Sequence, residues 1–475
     1  MRRLAIATLI LSVLLGRSIA QDDPQTFNKK RLAAIDKGVE WLKKQQAADG
    51  SFSFDKDKPL GVGIQMKPGC TSLCALALLK SGVGPGDPVI EKAFEYLCGL
   101  KGPDYVYSAG CILLAIEARH HWDPPSQALD PDDFSTKEKG KGGPRKPANI
   151  SPRELELAEI CKEYLVKQQT PNGSWTYPLS TPKGDEKADA SHPQYALLGL
   201  DAAERLGLVV PRESYLRAIN YFVENQEKDG PEVAPFPVFG ADCSFKELAK
   251  IEKEVREKIQ KIEGQFSGKK PTERNSAGRT EADERRTVER EAHGKMLKTV
   301  AKPRPMFARG WCYAYKPAEN GSWKKIVNGS MTASALTSLC VCKAHLDQGG
   351  DYEKLRAPVD KALRDGAAWL AHNYSVANNP AGDKKTKCIN HYYYMYGLER
   401  AGILGLVPQF GEHDWFIDGC KMFIDAQKAD GDWDAGASGT AGPIPDTCFA
   451  LLFLCRGTTP FVKIPTRTAT GTGGK

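Results

Sequence analysis

A recurring segment constrains the fold of this 475-residue chain more than any other feature of its sequence. "KGVEWLKKQQAADGSF" (37–52) has apolar residues at helical spacing and ends in a Gln, a Gly four residues later and an aromatic residue two residues after that. Related segments are "CKEYLVKQQTPNGSW" (161–175) and "GCKMFIDAQKADGDW" (419–433). Such recurrence is typical of an architecture built from repeated helical units.

A fourth, degenerate copy is "INYFVENQEKDG" (219–230), which lacks the final aromatic residue at that spacing. We expect each Gln to hydrogen-bond the backbone of a neighbouring repeat, and each aromatic residue to pack at the same junction. The predicted structural residues of the repeats are Gln46, Phe52, Gln169, Trp175, Gln226, Gln427 and Trp433.

A second kind of helix alternates with the repeated one. About six segments, such as "KPGCTSLCALALLKSG" and "NGSMTASALTSLCVCKAHL", are apolar on all sides, whereas about six others are amphipathic. A helix that is apolar all round is buried, and one with a polar face lies outside. The alternation therefore predicts an all-α fold in which about six inner and six outer helices form two concentric rings.

The recurring segment is similar to the QW repeat of squalene–hopene cyclases and their relatives: Lys-Gly-x-x-aromatic-Leu-x-x-x-Gln, then Gly-x-Trp, with Phe52 in place of the Trp. This resemblance implies the α/α toroid of terpene cyclases and prenyltransferase β subunits over residues 28–465. "DASHPQYALLGLDAA" and "YYYMYGLERAGILG" also resemble exported bacterial proteins described as prenyltransferase/squalene-oxidase repeat proteins. The resemblance to that group implies no particular activity.

Three segments do not fit the repeats. Residues 124–152 are rich in Pro, Gly and Lys and predict a mobile loop, and residues 466–475 predict a flexible tail. Residues 244–303 form a charged helical insertion with an apolar stripe typical of a coiled-coil seam. We expect that stripe to dock on the toroid or to pair with a second helix near 281–300; the alternative is that it recruits a protein partner. The stripe consists of Leu248, Ile251, Val255, Ile259 and Ile262.

The N-terminus predicts export. Residues 1–20 contain Arg2 and Arg3, a short apolar run and a small-x-small motif that ends at Ala20, which is the pattern of a cleaved signal peptide. No other apolar stretch has membrane length, so no transmembrane segment is expected. The net charge of +7 lies largely in local Lys runs, so we expect no nucleic-acid partner.

The 13 cysteines lie mostly in apolar helical patterns, which favours buried, unpaired side chains; disulfides between some of them are the alternative.

In a helical toroid the N-terminal turns of the inner helices border one mouth of the cavity, and their N–H groups carry partial positive charge. We therefore expect a ligand cavity at these turns. The predicted cavity residues are Cys70, Thr71, Tyr107, Ser108, Ser191, His192, Gln194, Thr332, Tyr392 and Tyr393, with Trp311 and Trp323.

The resemblance also supplies candidate catalytic residues. Hopene-type cyclases protonate an alkene with an Asp-x-Asp-Asp cluster, and the similar string at 130–133 lies in the Pro-rich loop outside any inner helix. If the chain is an enzyme, the candidate catalytic residues are Asp189, Asp446 and His391.

Protein prenyltransferases hold zinc with an Asp-x-Cys pair and a His, and Asp446, Cys448 and His391 supply those ligand types. The order along the chain departs from that family, in which the His follows the Asp-x-Cys pair. We therefore expect no cofactor, with a zinc ion as the alternative.

These observations favour a binding or scaffold protein that uses the toroid cavity or rim for a small apolar or carbohydrate ligand. The first alternative is a terpene cyclase or prenyltransferase-like enzyme. The second is a carbohydrate-binding or carbohydrate-active toroid, because aromatic side chains that could stack on sugars are plentiful, although paired carboxylates at the inner-helix starts are few.

Overall fold

The computed structural model describes residues 23–54, 66–123, 150–176, 190–315 and 324–463, apart from short gaps at 271–272, 274, 276–277, 301–303, 348 and 440–441. The predicted signal peptide, nearly all of the Pro-rich loop and the predicted C-terminal tail lie outside these residues.

The described residues are predominantly helical, which confirms the all-α prediction. Their fifteen α-helices are α1 Pro24–Lys43, α2 Lys67–Lys80, α3 Pro88–Cys98, α4 Val106–His120, α5 Pro152–Gln168, α6 Ser191–Arg205, α7 Arg212–Glu224, α8 Phe239–Asp242, α9 Phe245–Phe266, α10 Glu281–Thr299, α11 Gly329–Leu346, α12 Glu353–His372, α13 His391–Leu404, α14 Trp415–Ala426 and α15 Pro443–Leu454. Two short antiparallel pairs join β1 Glu232–Val233 to β2 Met306–Phe307, and β3 Cys312–Tyr315 to β4 Lys324–Val327.

Six helices are buried on nearly all sides, and we call them the core helices: α2, α4, α6, α11, α13 and α15. In α11, for example, every residue from 329 to 343 is buried. Each core helix contacts the next one along the chain, and α15 contacts α2. The contacts of the core helices therefore form a closed cycle.

Six amphipathic helices pack against this cycle, and we call them the flanking helices: α1, α3, α5, α7, α12 and α14. Each buries one face; in α3 the buried face comprises Val89, Ile90, Ala93, Phe94 and Leu97. Their starts are fixed by capping. Asp87 caps α3, where Pro occupies the first helical position, and Ser151 caps α5 in a reciprocal capping box.

The repeated Gln residues join successive flanking helices. Three of them each donate one hydrogen bond to the Gly carbonyl of their own turn and another to a carbonyl of the next flanking helix. The pairs between helices are Gln46–Val89, Gln169–Ser214 and Gln427–Ala34, at 2.8, 2.9 and 2.8 Å. These are the contacts that the recurrence predicted.

The turn after each Gln requires Gly for two reasons. Gly50 and Gly173 have φ of +84° and +88°, a region that favours glycine. A Cβ at either position would also lie 2.2 or 2.1 Å from a carbonyl oxygen of the next flanking helix. The fixed spacing of the repeat therefore places a glycine where the turn approaches the next flanking helix.

The aromatic residue completes each junction. Trp175 and Trp433 are fully buried, and their indole N–H groups donate to backbone oxygens of the preceding flanking helix, each at 2.7 Å. Phe52, also fully buried, takes the same place without that hydrogen bond. The backbone N–H of Phe52 donates to Thr71 Oγ1 (2.9 Å) and that of Trp433 to Thr447 Oγ1 (3.0 Å). The junction thus binds a core helix as well as two flanking helices.

The fourth repeat is complete, because its aromatic residue is Trp311. Gln226 donates to the carbonyls of Arg309 and of Ala362 in α12, both at 3.0 Å. The indole N–H of Trp311 donates to the oxygen of Phe222 in α7 at 2.8 Å. The chain between the Gln and its aromatic residue is therefore an insertion within one repeat, and it extends beyond the predicted limits of 244–303.

The insertion is built on a helical hairpin of α9 and α10. The predicted stripe of α9 is buried and shares a separate hydrophobic cluster with Val288, Ala292 and Met296 of α10. The ion pair between Lys258 and Glu291, at 2.6 Å, is consistent with antiparallel pairing. Because the stripe is buried within the chain, it is not a free surface for a protein partner, which corrects that alternative.

None of the described helices is long and apolar enough to cross a membrane. All thirteen cysteines are described; none forms a disulfide and ten are buried. Most of the cysteines therefore lie buried among the helices.

Candidate functional site

The N-terminal turns of the core helices, where a ligand cavity was predicted, are largely occupied by structural contacts. Thr71 and Thr332 accept hydrogen bonds from the backbone N–H groups of the repeat aromatics Phe52 and Trp311. Both Thr residues are fully buried, as are Cys70 and Ser108. These side chains hold repeat junctions and helix contacts together instead of facing an open cavity.

The aromatic residues at this end pack on each other. Tyr107 shares a 2.6 Å hydrogen bond with Ser191, and its ring lies 4.6 Å from that of His192. The ring of Tyr392 lies 5.0 Å from that of Phe423 in α14. The structure thus brings the predicted residues of α4 and α6 together, but as a packed contact.

Trp311, which was predicted to border the cavity, lies in a repeat junction. Its side chain is 2% exposed and is held between α7 and α11, as described above for the fourth repeat. Trp323 and the candidate catalytic residue Asp189 lie outside the described residues.

The proposed zinc ligands are each engaged separately. His391 Nε2 donates to the oxygen of Val376 at 2.9 Å, and burial lowers the pKa of His391. Asp446 accepts a 2.9 Å hydrogen bond from the backbone N–H of Ala435. No group of three His, Cys, Asp or Glu side chains arranged to hold a metal occurs among the described residues.

Cys448 has a different neighbour from the one that a zinc site requires. Its sulfur lies 3.6 Å from Cys74 Sγ on α2, where the last core helix meets the first. Burial raises the pKa of the Cys448 thiol, which disfavours the thiolate that zinc binds. Asp446 and His391 remain candidate catalytic residues.

The amide oxygen of Gln194 is the centre of a buried polar cluster that joins three core helices. It accepts hydrogen bonds from Ser334 (3.0 Å), Tyr393 (3.0 Å) and Arg400 (3.1 Å). All four side chains are at least nine-tenths buried. The predicted cavity residues Gln194 and Tyr393 thus contact each other where α6, α11 and α13 meet.

A pocket opens at the opposite, C-terminal ends of the core helices, where they meet residues 457–459. Its enclosed volume is about 30 Å³, room for about two water molecules. Its apolar wall includes Leu76, Leu114, Leu198 and Leu404, from four different core helices. A largely apolar wall of this kind is typical of small-molecule sites.

Charged side chains converge on the same pocket. Lys80, Glu117, Asp201, Arg205 and Arg400 all border it. Burial opposes ionisation of Glu117, but Lys80, Arg205 and a hydrogen bond from His121 outweigh it and lower the pKa of Glu117 to about 2. The pocket therefore contains ionised groups of both signs at neutral pH.

A histidine on α11 links two acidic groups beside the pocket. His345 donates to Asp201 (2.9 Å) and to Glu204 (2.8 Å), and its ring stacks on Tyr215 with centroids 4.6 Å apart. Burial alone would lower the pKa of His345, but the hydrogen bonds to both carboxylates raise it to about 9. The imidazole is therefore charged at neutral pH, and Asp201 also pairs with Arg205 at 3.0 Å.

The segment after α15 crosses the mouth of the pocket. Lys80 donates to Thr459 Oγ1 at 2.9 Å, and Glu399 accepts hydrogen bonds from the backbone N–H (3.1 Å) and hydroxyl (2.6 Å) of Thr458. Glu399 is fully buried, and burial raises its pKa to about 7, with the Thr458 hydrogen bonds opposing. Phe461 continues this segment onto Phe245 of the insertion.

Sequence reasoning missed this pocket because it considered only the helix starts. A signal was present: "YGLERAG" and "LLGLDAAERL" place charged residues inside helices that are otherwise apolar on all sides. Charged residues are rarely buried unless they are paired. Such residues near the ends of core helices indicate a polar site there.

Comparisons of the chain with protein-family models and with curated proteins find no match. What the pocket can do therefore follows from its own geometry and charges.

Proposed function

We propose that the chain is an exported α/α toroid of the squalene–hopene cyclase-like type, and that it binds a small, largely apolar ligand. The repeat motif, the alternation of core and flanking helices and their closed cycle of contacts support the toroid. The signal-peptide pattern of residues 1–20 supports export to the periplasm or the medium.

The observation that carries the binding proposal is the pocket at the C-terminal ends of the core helices. Leucines from four helices form its wall, and a few polar and charged groups converge on it. An apolar concave wall with a small number of placed polar groups is the usual composition of a ligand site.

A cyclase or prenyltransferase-like activity has less support. Those reactions require a strong acid or an activated thiolate, and Asp446, His391 and Cys448 are engaged with backbone groups or with another buried thiol. A carbohydrate-active site has no described carboxylate pair at the helix starts, since Asp189 lies outside the described residues.

The experiment is a thermal-shift and native mass spectrometry screen of residues 21–475 with short alcohols, short fatty acids and simple sugars. Lys80→Trp places a bulky ring at the pocket mouth, and Lys250→Trp is the control on the exposed face of α9. We expect at least one probe to bind the parent protein and Lys250→Trp but not Lys80→Trp. Equal binding to both variants would place the site elsewhere.

A further inference from the structure

Two thiols meet where the cycle of core helices closes. Cys74 lies on α2, the first core helix, and Cys448 lies on α15, the last. Their sulfur atoms are 3.6 Å apart, although the two residues are 374 positions apart in the chain, and both side chains are fully buried. The other contacts at this closure, such as that of Gln427 with Ala34, are hydrogen bonds. The two thiols are therefore placed to join the first and last repeats by a covalent bond.

A third thiol lies beside this pair but is poorly placed to react with it. Cys70 precedes Cys74 by four residues on α2, and its side chain is close enough to form a hydrogen bond with Cys74. Residues four apart on a helix have their Cβ atoms about 5–6 Å apart, whereas a disulfide requires about 3.8 Å. The sulfurs of Cys74 and Cys448 lie on two adjacent helices and need to approach only from 3.6 Å to about 2.05 Å. The geometry therefore favours the pair between helices.

We propose that Cys74 and Cys448 form a disulfide that closes the ring of core helices covalently in the exported protein. This inference rests on the export proposed above, because disulfides form and persist in oxidising compartments outside the cytoplasm. The oxidant is another disulfide, either oxidised glutathione or the disulfide of a thiol oxidoreductase.

The reaction is thiol–disulfide exchange in two steps. The thiolate of one cysteine attacks a sulfur of the oxidant, which forms a mixed disulfide and releases one thiolate of the oxidant. The thiolate of the second cysteine then attacks the protein sulfur of the mixed disulfide and releases the other thiolate. The two cysteines lose two electrons and two protons, and the oxidant is reduced to two thiols.

The burial of the pair means that the bond must form before the ring is closed. Burial raises the pKa of both thiols in the folded chain, which disfavours the thiolate that attacks a disulfide. Before α15 packs on α2, the face of α2 that carries Cys74 is not yet covered by α15. We therefore expect the bond to form during folding, and we expect the reduced, folded chain to resist oxidation.

The test is cell-free synthesis of residues 21–475 in a glutathione redox buffer and, in parallel, in dithiothreitol. Each product is alkylated in denaturant, and mass spectrometry counts its free thiols. The chain has thirteen cysteines, so we expect eleven free thiols and a linked Cys74–Cys448 peptide in the redox buffer, and thirteen free thiols in dithiothreitol. The folded product from dithiothreitol, moved to the redox buffer, should keep its thirteen thiols.

Three variants provide the controls. Cys74→Ala and Cys448→Ala should each retain all twelve remaining thiols in the redox buffer. Cys340→Ala, at a fully buried position of the core helix α11, should still form the link and retain ten. Comparing each variant in its two preparations removes the effect of the substitution itself on stability.

A thermal unfolding measurement tests whether the bond holds the ring closed. A disulfide across so long a stretch of chain restricts the unfolded state, so the oxidised parent should have a Tm about 5 °C above that of the reduced parent. Cys340→Ala should show the same difference, and Cys448→Ala should show none. A linked chain with an unchanged Tm would overturn the closing role of the bond.

The outcomes separate this inference from the proposed export. Thirteen free thiols in both preparations, or links between other cysteines that leave Cys74 and Cys448 free, would overturn the disulfide in any compartment. Retention of uncleaved residues 1–20 on expression of the full chain in a secreting bacterial host would instead overturn export. The reaction of the two thiols in the redox buffer would not depend on that result.

Discussion

The side chain of Gln427 donates a 2.8 Å hydrogen bond to the backbone oxygen of Ala34, 393 residues earlier in the chain. The same relationship joins Gln46 to α3, Gln169 to α7 and Gln226 to α12. Elsewhere in the chain this hydrogen bond joins successive repeats. At Gln427 it joins the last repeat to the first. Arg31 adds to this closure by donating to the oxygen of Leu454 at 2.8 Å.

The closing hydrogen bond makes a first prediction. Gln427→Ala removes the hydrogen bonds to two carbonyls, of Ala34 and Gly431, at a partly buried junction. We expect a loss of about 1–3 kcal/mol in the free energy of unfolding, measured by urea denaturation. Gln260→Ala, on the exposed side of α9, is the matched control and should change it by less than about 0.5 kcal/mol. Equal effects of the two variants would mean that the junction does not contribute to the free energy of unfolding.

Much of this architecture could be predicted from the sequence, because the repeat couples a helix end, a glycine turn and an aromatic residue at fixed spacing. The fourth repeat could not be completed in that way. Gln226 and its partner carbonyl on Arg309 are 83 residues apart, with the insertion between them. Only the fold shows that Trp311 belongs to the motif.

The candidate site was harder to predict than the fold for a physical reason. Helix N-termini offer free N–H groups, so the helix starts were the natural place to expect a ligand. In this chain Thr71, Thr332 and Thr447 use those positions to hold the repeat junctions. The charged groups lie at the other ends, and their pairing, such as His345 with Asp201 across α11 and α6, cannot be read from spacing along one helix.

The insertion makes a second prediction. Replacing residues 259–290 with a four-residue turn that has Asn-Gly at its centre shortens the α9–α10 hairpin. The paired base of the hairpin, which includes Leu248, Val255 and Met296, is kept. We expect the remaining chain to fold with its other helices intact, because the helix junctions and the core cycle do not involve the removed residues. Far-ultraviolet circular dichroism should lose only the signal of the removed turns.

The base of the insertion should behave differently. Lys343, 1% exposed, forms an ion pair with Asp360 at 2.6 Å and donates to the oxygen of Ala241 in α8. Deleting residues 239–299 would remove one of these partners and uncover Leu406. That longer deletion should lower the unfolding temperature clearly more than the shorter one, and the reverse order would contradict the docking described here.

His345 makes the third prediction, a pH dependence of stability. Its pKa is about 9 in the folded protein, raised by Asp201 and Glu204 against the effect of burial, compared with 6.5 for an ordinary His. A raised His pKa contributes stability that is fully present below about pH 6.5 and is lost as the pH rises through about 9. The contribution is on the order of 3 kcal/mol at the low-pH limit.

The measurement is the free energy of unfolding from pH 6 to pH 10 in the parent protein and in His345→Gln. The parent should lose stability across this window more steeply than the variant. His372→Gln, at an exposed position at the end of α12, is the control and should retain the steep profile. Parallel profiles for the parent and His345→Gln would show that the Asp201–His345–Glu204 group does not hold the proton.

Glu399 makes the fourth prediction, in a lower pH window. Burial raises its pKa to about 7, against hydrogen bonds from Thr458 and the positive charges of Arg400 and Arg456. A carboxyl whose pKa is raised from 4.5 favours the folded state most when it is protonated. Its contribution is therefore largest below about pH 4.5, falls as the pH rises to about 7 and stays constant above that.

Glu399→Gln removes this titration and keeps a side chain of the same shape beside Thr458. The parent protein should become less stable than Glu399→Gln as the pH rises from 4.5 to 7, by an amount on the order of 3 kcal/mol above pH 7. The exposed Glu412→Gln is the control, and its profile should follow that of the parent protein. The pH profile separates titration from a structural effect, because lost hydrogen bonds to Thr458 would destabilise Glu399→Gln at every pH. If that uniform loss is observed, the pKa of Glu399 is not raised in the folded protein.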